Sequence, residues 1–333
     1  MKIALDVMGG DFAPQATIQG ALQALQQADS QFEIVLVGPE DRIRAELGRS
    51  MPPKVHLHLA NEIVTMDDRG SKVLKTKPDS SLVQGIQLVK KGQVDGFISA
   101  GNTGAIMATS LLLLGRIKGV RRPALGVYIP TQKGGKILCD VGANPEAKPH
   151  HLLQFAIMAV HYLKHVEGIE NPLVGLINIG IESNKGSELY VESYRLLKTG
   201  LPNFIGNVEG RHIFTTEAHV LVCDGFVGNT LLKFAEGWIS TFGTLIKESL
   251  RERLSYQLGA LLLKPVFESI KKQYDYEEHG GTPLLGINGV CIISHGSSSA
   301  KAIKNSLLVA KKCIKENLIE DIRKGVTQFT SEA

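Results

Sequence analysis

The sequence predicts an α/β protein with a mixed, mostly parallel sheet covered by helices, and two features predict it. Short apolar runs alternate with helix-forming stretches along the whole chain, the pattern of strands joined by crossover helices. One pair of runs, Ala124 to Ile129 and Lys136 to Val141, is joined by a turn through Gly134-Gly135 and reads as antiparallel, so the sheet is mixed. With 333 residues and 35 glycines, the chain is long enough for one large, turn-rich body and needs no small-protein staples.

Taken in order, Lys2 to Val7, Glu33 to Gly38, Val55 to Ala60 and Phe97 to Ala100 read as strands. The helices between and after them are Pro14 to Gln27, Glu40 to Leu47, Ser80 to Lys91 and Gly104 to Leu114. A second half begins near Arg121-Arg122-Pro123 with the antiparallel pair. It continues through a helix at His150 to His165, a strand at Leu173 to Ile179, a helix at Gly186 to Lys198, and strands at Phe204 to Val208 and His219 to Cys223. A strand, Gly289 to Ser294, and a basic helix, Ser298 to Asn317, close the pattern. Thr230 to Lys272 carries no strand signal. It reads as two helical stretches meeting near Leu258-Gly259, a protrusion over residues 230–272 of a single catalytic domain spanning 1–333. Leu254, Leu258, Leu261, Leu262 and Val266 fall on one helical face there, ringed by Arg251, Arg253, Lys264, Lys271 and Lys272. Such a stripe packs against a second copy of the chain, lies on a membrane surface, or is plain core.

Two turns nearly repeat one another. Asp95-Gly96-Phe97-Ile98-Ser99-Ala100-Gly101-Asn102-Thr103 is answered by Asp224-Gly225-Phe226-Val227-Gly228-Asn229-Thr230. Each follows an apolar run and leads into a helix expected to start at or just after the Gly-Asn-Thr. Free backbone N–H groups and the positive dipole end make such a start an anion site. Open α/β sheets hold ligands beyond their strand ends.

Other strand ends carry candidate groups. Asp6, before Gly9-Gly10, orients a basic partner, acts as acid or base, or caps a turn; the flanking acids exclude a phosphate loop. Asn144, in Asp140-Val141-Gly142-Ala143-Asn144-Pro145, is a substrate contact or a turn residue. Gly180 to Ser187 approaches the nucleotide-binding phosphate loop but ends Lys-Gly-Ser. The inversion moves Lys185 off nucleotide geometry and leaves it suited to free phosphate as a point charge. Arg211 and His212 are further cationic donors or solvated surface, and His295 to Ser299 is one more possible anion turn.

Several chemistries lack their signs. The ten histidines never adopt a metal-binding spacing, and neither G-x-G-x-x-G nor G-x-S-x-G occurs, so no metal or cofactor is expected. Cys223 beside Asp224 reads as a buried strand thiol, and all 4 cysteines as reduced residues of a cytosolic protein. The acid at Asp6 precedes any signal-peptide core and no run approaches membrane-spanning length, so a soluble protein is expected. A net charge of +4 without a basic, aromatic-interleaved stripe excludes nucleic acid and fits mild attraction to acidic partners or anionic lipid.

In Asp6 to Asp11, Ser99 to Ala105, Asp140 to Asn144, Glu182 to Gly186 and Asp224 to Asn229, the chain resembles the PlsX family, the fatty acyl-acyl carrier protein:phosphate acyltransferases of phospholipid synthesis. The resemblance runs from residue 1 to about residue 315. It implies a three-layer fold like that of isocitrate and isopropylmalate dehydrogenases and phosphotransacetylases, in two lobes with a cleft. It also implies a cytosolic, peripherally membrane-associated homodimer that takes acyl carrier protein and inorganic phosphate and hands acyl phosphate to a membrane-bound glycerol-3-phosphate acyltransferase. Positioning phosphate against a thioester is worth up to roughly 7 to 11 kcal/mol, and each oxyanion donor about 3 kcal/mol. Lys185 and the Gly101-Asn102-Thr103 turn are expected to hold phosphate, Asn229 to serve the oxyanion and sulfur, and Asp224 to orient partners or deliver a proton. Asp6, Asn144, Arg211, His212 and Gly225 complete the expected substrate contacts, and the Leu254 to Phe267 stripe forms the acyl slot or membrane tip. Alternative readings are a phosphotransacetylase acting on acyl-CoA and a non-enzymatic membrane-surface scaffold for acyl carrier protein.

Overall fold

The computed structural model describes residues 1–27, 32–48, 50–131, 134–273 and 276–331, without the side chains of 270–273, 276 and 330–331, so those of Lys271 and Lys272 lie outside the described residues. The chain runs β1 (Lys2–Asp6), α1 (Gln15–Gln27), β2 (Glu33–Gly38), α2 (Glu40–Leu47), β3 (Val55–Leu59), α3 (Val73–Thr76), α4 (Ser81–Lys90), β4 (Gly96–Ser99) and α5 (Thr103–Leu114). It continues through β5 (Ala124–Ile129), β6 (Lys136–Cys139), α6 (Pro149–His165), β7 (Val174–Asn178), α7 (Glu188–Gly200), β8 (Phe204–Glu209) and β9 (Val220–Val222). The last elements are α8 (Gly225–Arg251), α9 (Leu254–Gln273), β10 (Thr282–Leu285), β11 (Val290–Ile293), α10 (Ala300–Lys315) and α11 (Leu318–Ser331).

These strands form one 11-stranded sheet in the order β3-β2-β1-β4-β11-β10-β5-β6-β9-β7-β8. Side chains alternate across it: Ile3 and Leu5 enter a core with α1, α6, α10 and α11, whereas Ala4 enters a second core with α4 and α5. Both faces are therefore covered, and the fold is the mixed, mostly parallel α/β sandwich that the sequence predicts. The β5-β6 pair is antiparallel as expected, Gly126 facing Cys139.

β10 and α11 were not expected. β10 is antiparallel to both β11 and β5. It is short and contains Pro283, which argues against a central strand in sequence alone. With three consecutive antiparallel pairings in mid-sheet, β1, β4 and β11 run in one sense and β6, β9, β7 and β8 in the other. The two parallel blocks thus point their carboxyl ends in opposite senses.

The long helices also correct the sequence reading. The break falls at Glu252-Arg253, and Gly259 lies inside α9 with nothing within 4 Å of where a Cβ would stand. A helix-interior glycine costs only about 1 kcal/mol relative to alanine, too little to end a helix that Leu258 and Leu261 continue. Of α8, only Gly225 and Gly228 are buried, with Val227, Leu231 and Leu232 packed against the body. Farther along, Phe234, Trp238, Ile239, Phe242 and Leu245 are exposed, as are Leu254, Leu258, Leu261, Leu262 and Val266 on α9. None of those five is core in this chain by itself. Among the described residues no helix is long and apolar enough to cross a membrane.

Candidate active site

Three parallel strands, β6, β9 and β7, end side by side, with Cys139, Val222 and Leu176 in one row. The residues that follow, Asp140, Asp224 and Asn178, therefore meet at one edge. Asp140 is fully buried and organises the turn: Oδ1 accepts from the Leu125 and Ala143 amides at 2.9 and 3.2 Å, and Oδ2 accepts from the Asn144 amide and Asn144 Nδ2 at 2.6 and 2.9 Å. Burial outweighs these donors and raises its carboxyl above the ordinary carboxylate range. Asn144 Nδ2 also donates to the Pro123 carbonyl at 2.7 Å, and its own carbonyl accepts from the Gly225 amide at 2.8 Å. Its carboxamide N–H groups are thus spent on the turn.

The repeated turn differs in its two copies. In the first, α5 begins at Thr103 and Asn102 is the cap, its Oδ1 accepting from the Ala105 amide. In the second, α8 begins at Gly225, before the Gly-Asn-Thr, because Asp224 Oδ1 accepts from both Phe226 and Val227 amides and caps the helix. Asn229 consequently lies in the second turn of α8, exposed, its side chain alongside Gly142. The glycine spacing now has a cause. A Cβ at Gly225 would stand 2.8 Å from Asp140 Oδ2, and one at Gly228 would stand 1.9 Å from the Asp140 carbonyl oxygen. Glycines at both positions let the helix start press onto the Asp140 turn.

Asp224 Oδ2 accepts from the Tyr190 hydroxyl at 2.6 Å. Burial, and then that bond, hold the phenol protonated well above its usual range. Tyr190 stands in the first turn of α7, so it ties the Lys185 loop to Asp224. Asn178 Nδ2 holds the Lys185 carbonyl at 3.0 Å, and the exposed Lys185 stem folds over Gly180, where a Cβ would meet Cγ at 3.0 Å. Arg211 pairs with Glu209 at 2.9 Å, with His212 3.9 Å from the same carboxylate, both exposed at the end of the edge strand β8. Cys223 is buried, and burial together with Asp224 and Asp140 pushes its thiol well above the ordinary value, leaving no thiolate at neutral pH.

The other predicted residues gather elsewhere. Asp6 Oδ2 accepts from Ser99 Oγ at 2.7 Å, and Ser99 Oγ accepts from the Gly101 amide at 3.0 Å. Burial raises the Asp6 carboxyl despite these donors. Asn102 Nδ2 tethers the 65–68 loop through the carbonyls of Thr65, Met66 and Asp68, which leaves Asn102 a cap and a strut. Asp6, Gly101, Asn102 and Thr103 thus form one group, and Asn144, Lys185, Asp224, Gly225 and Asn229 another. Along the chain they are separated by α5, about 18 Å of helix, and the 115–123 loop.

Tyr190 is not among the residues the sequence points to, and Arg121-Arg122 stands out there only as a boundary. Tyr190 carried no signal because its partner is 34 residues away. The histidines at the start of α6 adjoin these arginines: Arg121 Nη1 is 3.4 Å from His150 Nε2.

A family model described as fatty acid synthesis protein matches residues 1–321. A phosphate acyltransferase of Desulfitobacterium hafniense (strain DSM 10664 / DCB-2) is 50% identical over 333 residues, 99% of each chain. One from Heliobacterium modesticaldum is 49% identical over 98% of each. In structure, the chain is similar to a phosphotransacetylase from Streptococcus pyogenes, with TM-score 0.61 and 16% identity over 95% of this chain and 94% of that one. A branched-chain phosphotransacylase from Enterococcus faecalis V583 gives TM-score 0.56 at 14% identity, covering 94% and 99%. These two likenesses concern the fold, and with the full-length relatives and the family match they close the question of kinship: the chain is an acyltransferase and belongs to the PlsX family of phosphate acyltransferases.

Proposed function

We propose that this acyltransferase moves a long-chain fatty acyl group from the thioester of acyl carrier protein to inorganic phosphate, giving an acyl phosphate for phospholipid synthesis. The observation that carries the reading is the meeting of β6, β9 and β7 at one edge, where Tyr190, in the helix that follows the Lys185 loop, bonds Asp224 at the start of α8. Phosphate is already anionic at neutral pH and a thiolate leaves readily, so the protein has to position and stabilise. Lys185 holds the phosphate. A phosphate oxygen attacks the thioester carbonyl, Asn229 donates to the oxyanion, the C–S bond breaks, and the carrier thiolate leaves and takes a proton from solvent. Asp224, fixed by Tyr190, keeps the α8 start in register with the Asp140 turn.

The apolar sides of α8 and α9 fit the remaining partners. About 0.8 kcal/mol per buried methylene gives a long tail ample binding energy on such a surface. In this reading the helical pair joins two copies as a homodimer. Its end rests on the membrane as a peripheral tip, near a membrane-bound glycerol-3-phosphate acyltransferase that consumes the product.

Free thiol released from long-chain acyl carrier protein and from acetyl-CoA, with and without phosphate, tests the reading. Phosphate-dependent release from the carrier substrate alone supports it. Release from acetyl-CoA alone makes the chain a phosphotransacetylase, and carrier binding without release makes it a scaffold.

A further inference from the structure

We infer that the 115–123 loop and the start of α6 form a phosphate-group site beside the proposed reaction centre; the inference rests on that reading. The loop lines an open cleft of about 760 Å³ and sets Arg116, Lys118, Arg121 and Arg122 around it. The start of α6 lies next to it: Lys148 is its cap, and His150 in the first turn touches Arg121.

The loop backbone is pinned, in part by Arg116 itself, and the heads of Arg121 and Arg122 are left outward. The Arg121 amide donates to Gln154 Oε1 at 2.8 Å, its carbonyl accepts from the Arg116 guanidinium, and Gln154 Nε2 donates to the Gly119 carbonyl at 2.9 Å. The Pro123 carbonyl is the one held by Asn144, which connects the cleft directly to the Asp140 turn and the start of α8. Arg121 and Arg122 remain exposed.

The local field is of one sign. Burial and then neighbouring cations hold His150 below its ordinary range. Burial, His150, Arg122, Arg121 and Lys148 push His151 down to about 4. Both imidazoles are therefore neutral at pH 7, and the fixed charge comes from lysine and arginine. Among the described residues, Arg116, Lys118, Arg121, Arg122 and Lys148 form no ion pair with a carboxylate. Like charges crowded without counter-ions oppose folding unless an anion joins them. Guanidinium forks match the tetrahedral oxygens of a phosphate group.

Two groups in the proposed reaction carry that chemistry: inorganic phosphate itself and the phosphodiester that joins the thiol-bearing arm to its carrier. Calorimetric titration of the intact protein with inorganic phosphate and, separately, with phosphopantetheine measures binding independently of turnover. Arg121→Ala and Arg122→Ala remove surface heads and leave the pinned backbone intact, and Arg122→Glu reverses one. Each neutral variant is expected to weaken one of the two ligands by roughly tenfold to a hundredfold, as loss of a charge-assisted contact does. Weakened inorganic phosphate assigns the cleft to the acyl acceptor. Weakened phosphopantetheine, with binding of pantetheine lacking the phosphate unchanged, assigns it to the carrier arm. Unchanged affinity for both ligands in folded Arg122→Glu overturns the site. If wild type binds a ligand through these arginines but releases no thiol, the site stands and the proposed reaction fails.

Discussion

Replacing Gly228 with alanine tests whether the start of α8 is pressed against the Asp140 turn as tightly as the geometry requires. The new Cβ would stand 1.9 Å from the Asp140 carbonyl oxygen and 3.0 Å from both its carbonyl carbon and Cys223 Sγ. Two of those neighbours are backbone atoms in a hydrogen-bonded turn, so relief requires the helix itself to move. Overpacking of this kind costs about 1–3 kcal/mol and more where the backbone must yield, against about 1 kcal/mol gained from the better helix former. The net expectation is a loss of roughly 2 kcal/mol or more. Gly237→Ala is the control, since nothing lies within 4 Å of its Cβ position in the same helix, and it should gain about 0.5–1 kcal/mol. Thermal unfolding followed by circular dichroism should then move in opposite directions for the two variants, by about three degrees or more down and about one degree up. Gly228→Ala should also lose turnover beyond its loss of fold, because Asn229 follows it on the displaced helix. Equal or higher stability for Gly228→Ala would refute the close contact.

Lys185→Ala and Asn229→Ala replace exposed side chains, so stability should change by less than about 0.5 kcal/mol while thiol release falls roughly a hundredfold or more; near-normal turnover removes that residue from the mechanism. His151, held near 4 in the folded protein, stays neutral while the unfolded chain takes up a proton between pH 6.5 and 4, so its contribution is present above the ordinary imidazole value and lost as pH falls through that window. Denaturant midpoints of wild type should therefore drop more steeply across it than those of His151→Gln, and parallel curves refute the assignment. Leu258→Glu with Leu262→Glu should abolish flotation with anionic vesicles and keep the wild-type circular dichroism spectrum, since those side chains are 60% and 83% exposed; unchanged flotation rules out the tip.

Most of the sheet was legible because its strands announce themselves. Lys2 to Val7 and Glu33 to Gly38 are apolar runs ended by acid or glycine, and period and punctuation agree. β10 was not, since Gly280-Gly281 and Pro283 imitate a loop and its pairing partners are distant in sequence. α11 was lost because Asn317, at φ 52°, ends one helix just before the next begins. At the site, Asp140, Asp224, Asn144 and Lys185 were visible as polar groups at strand ends. What sequence similarity between the two turns concealed was the competition between caps: Asp224 outbids the downstream asparagine, and the same letters fall at different helical positions. Tyr190 and the cationic loop depend on contacts between elements, which local pattern does not encode.

The placement of β10 and β11 bears on synthesis. The block begun by the first hundred residues is finished only by the last strands, since β4 has β11 on one side and α10 closes over α1. Until Val290 has left the ribosome, β4 presents a bare hydrogen-bonding edge and α1 an uncovered apolar flank. A nascent chain in that condition is vulnerable to pairing with its neighbours. Truncation anywhere before Thr282 would make the vulnerability permanent, so the last sixth or so of the sequence acts as the latch of its beginning.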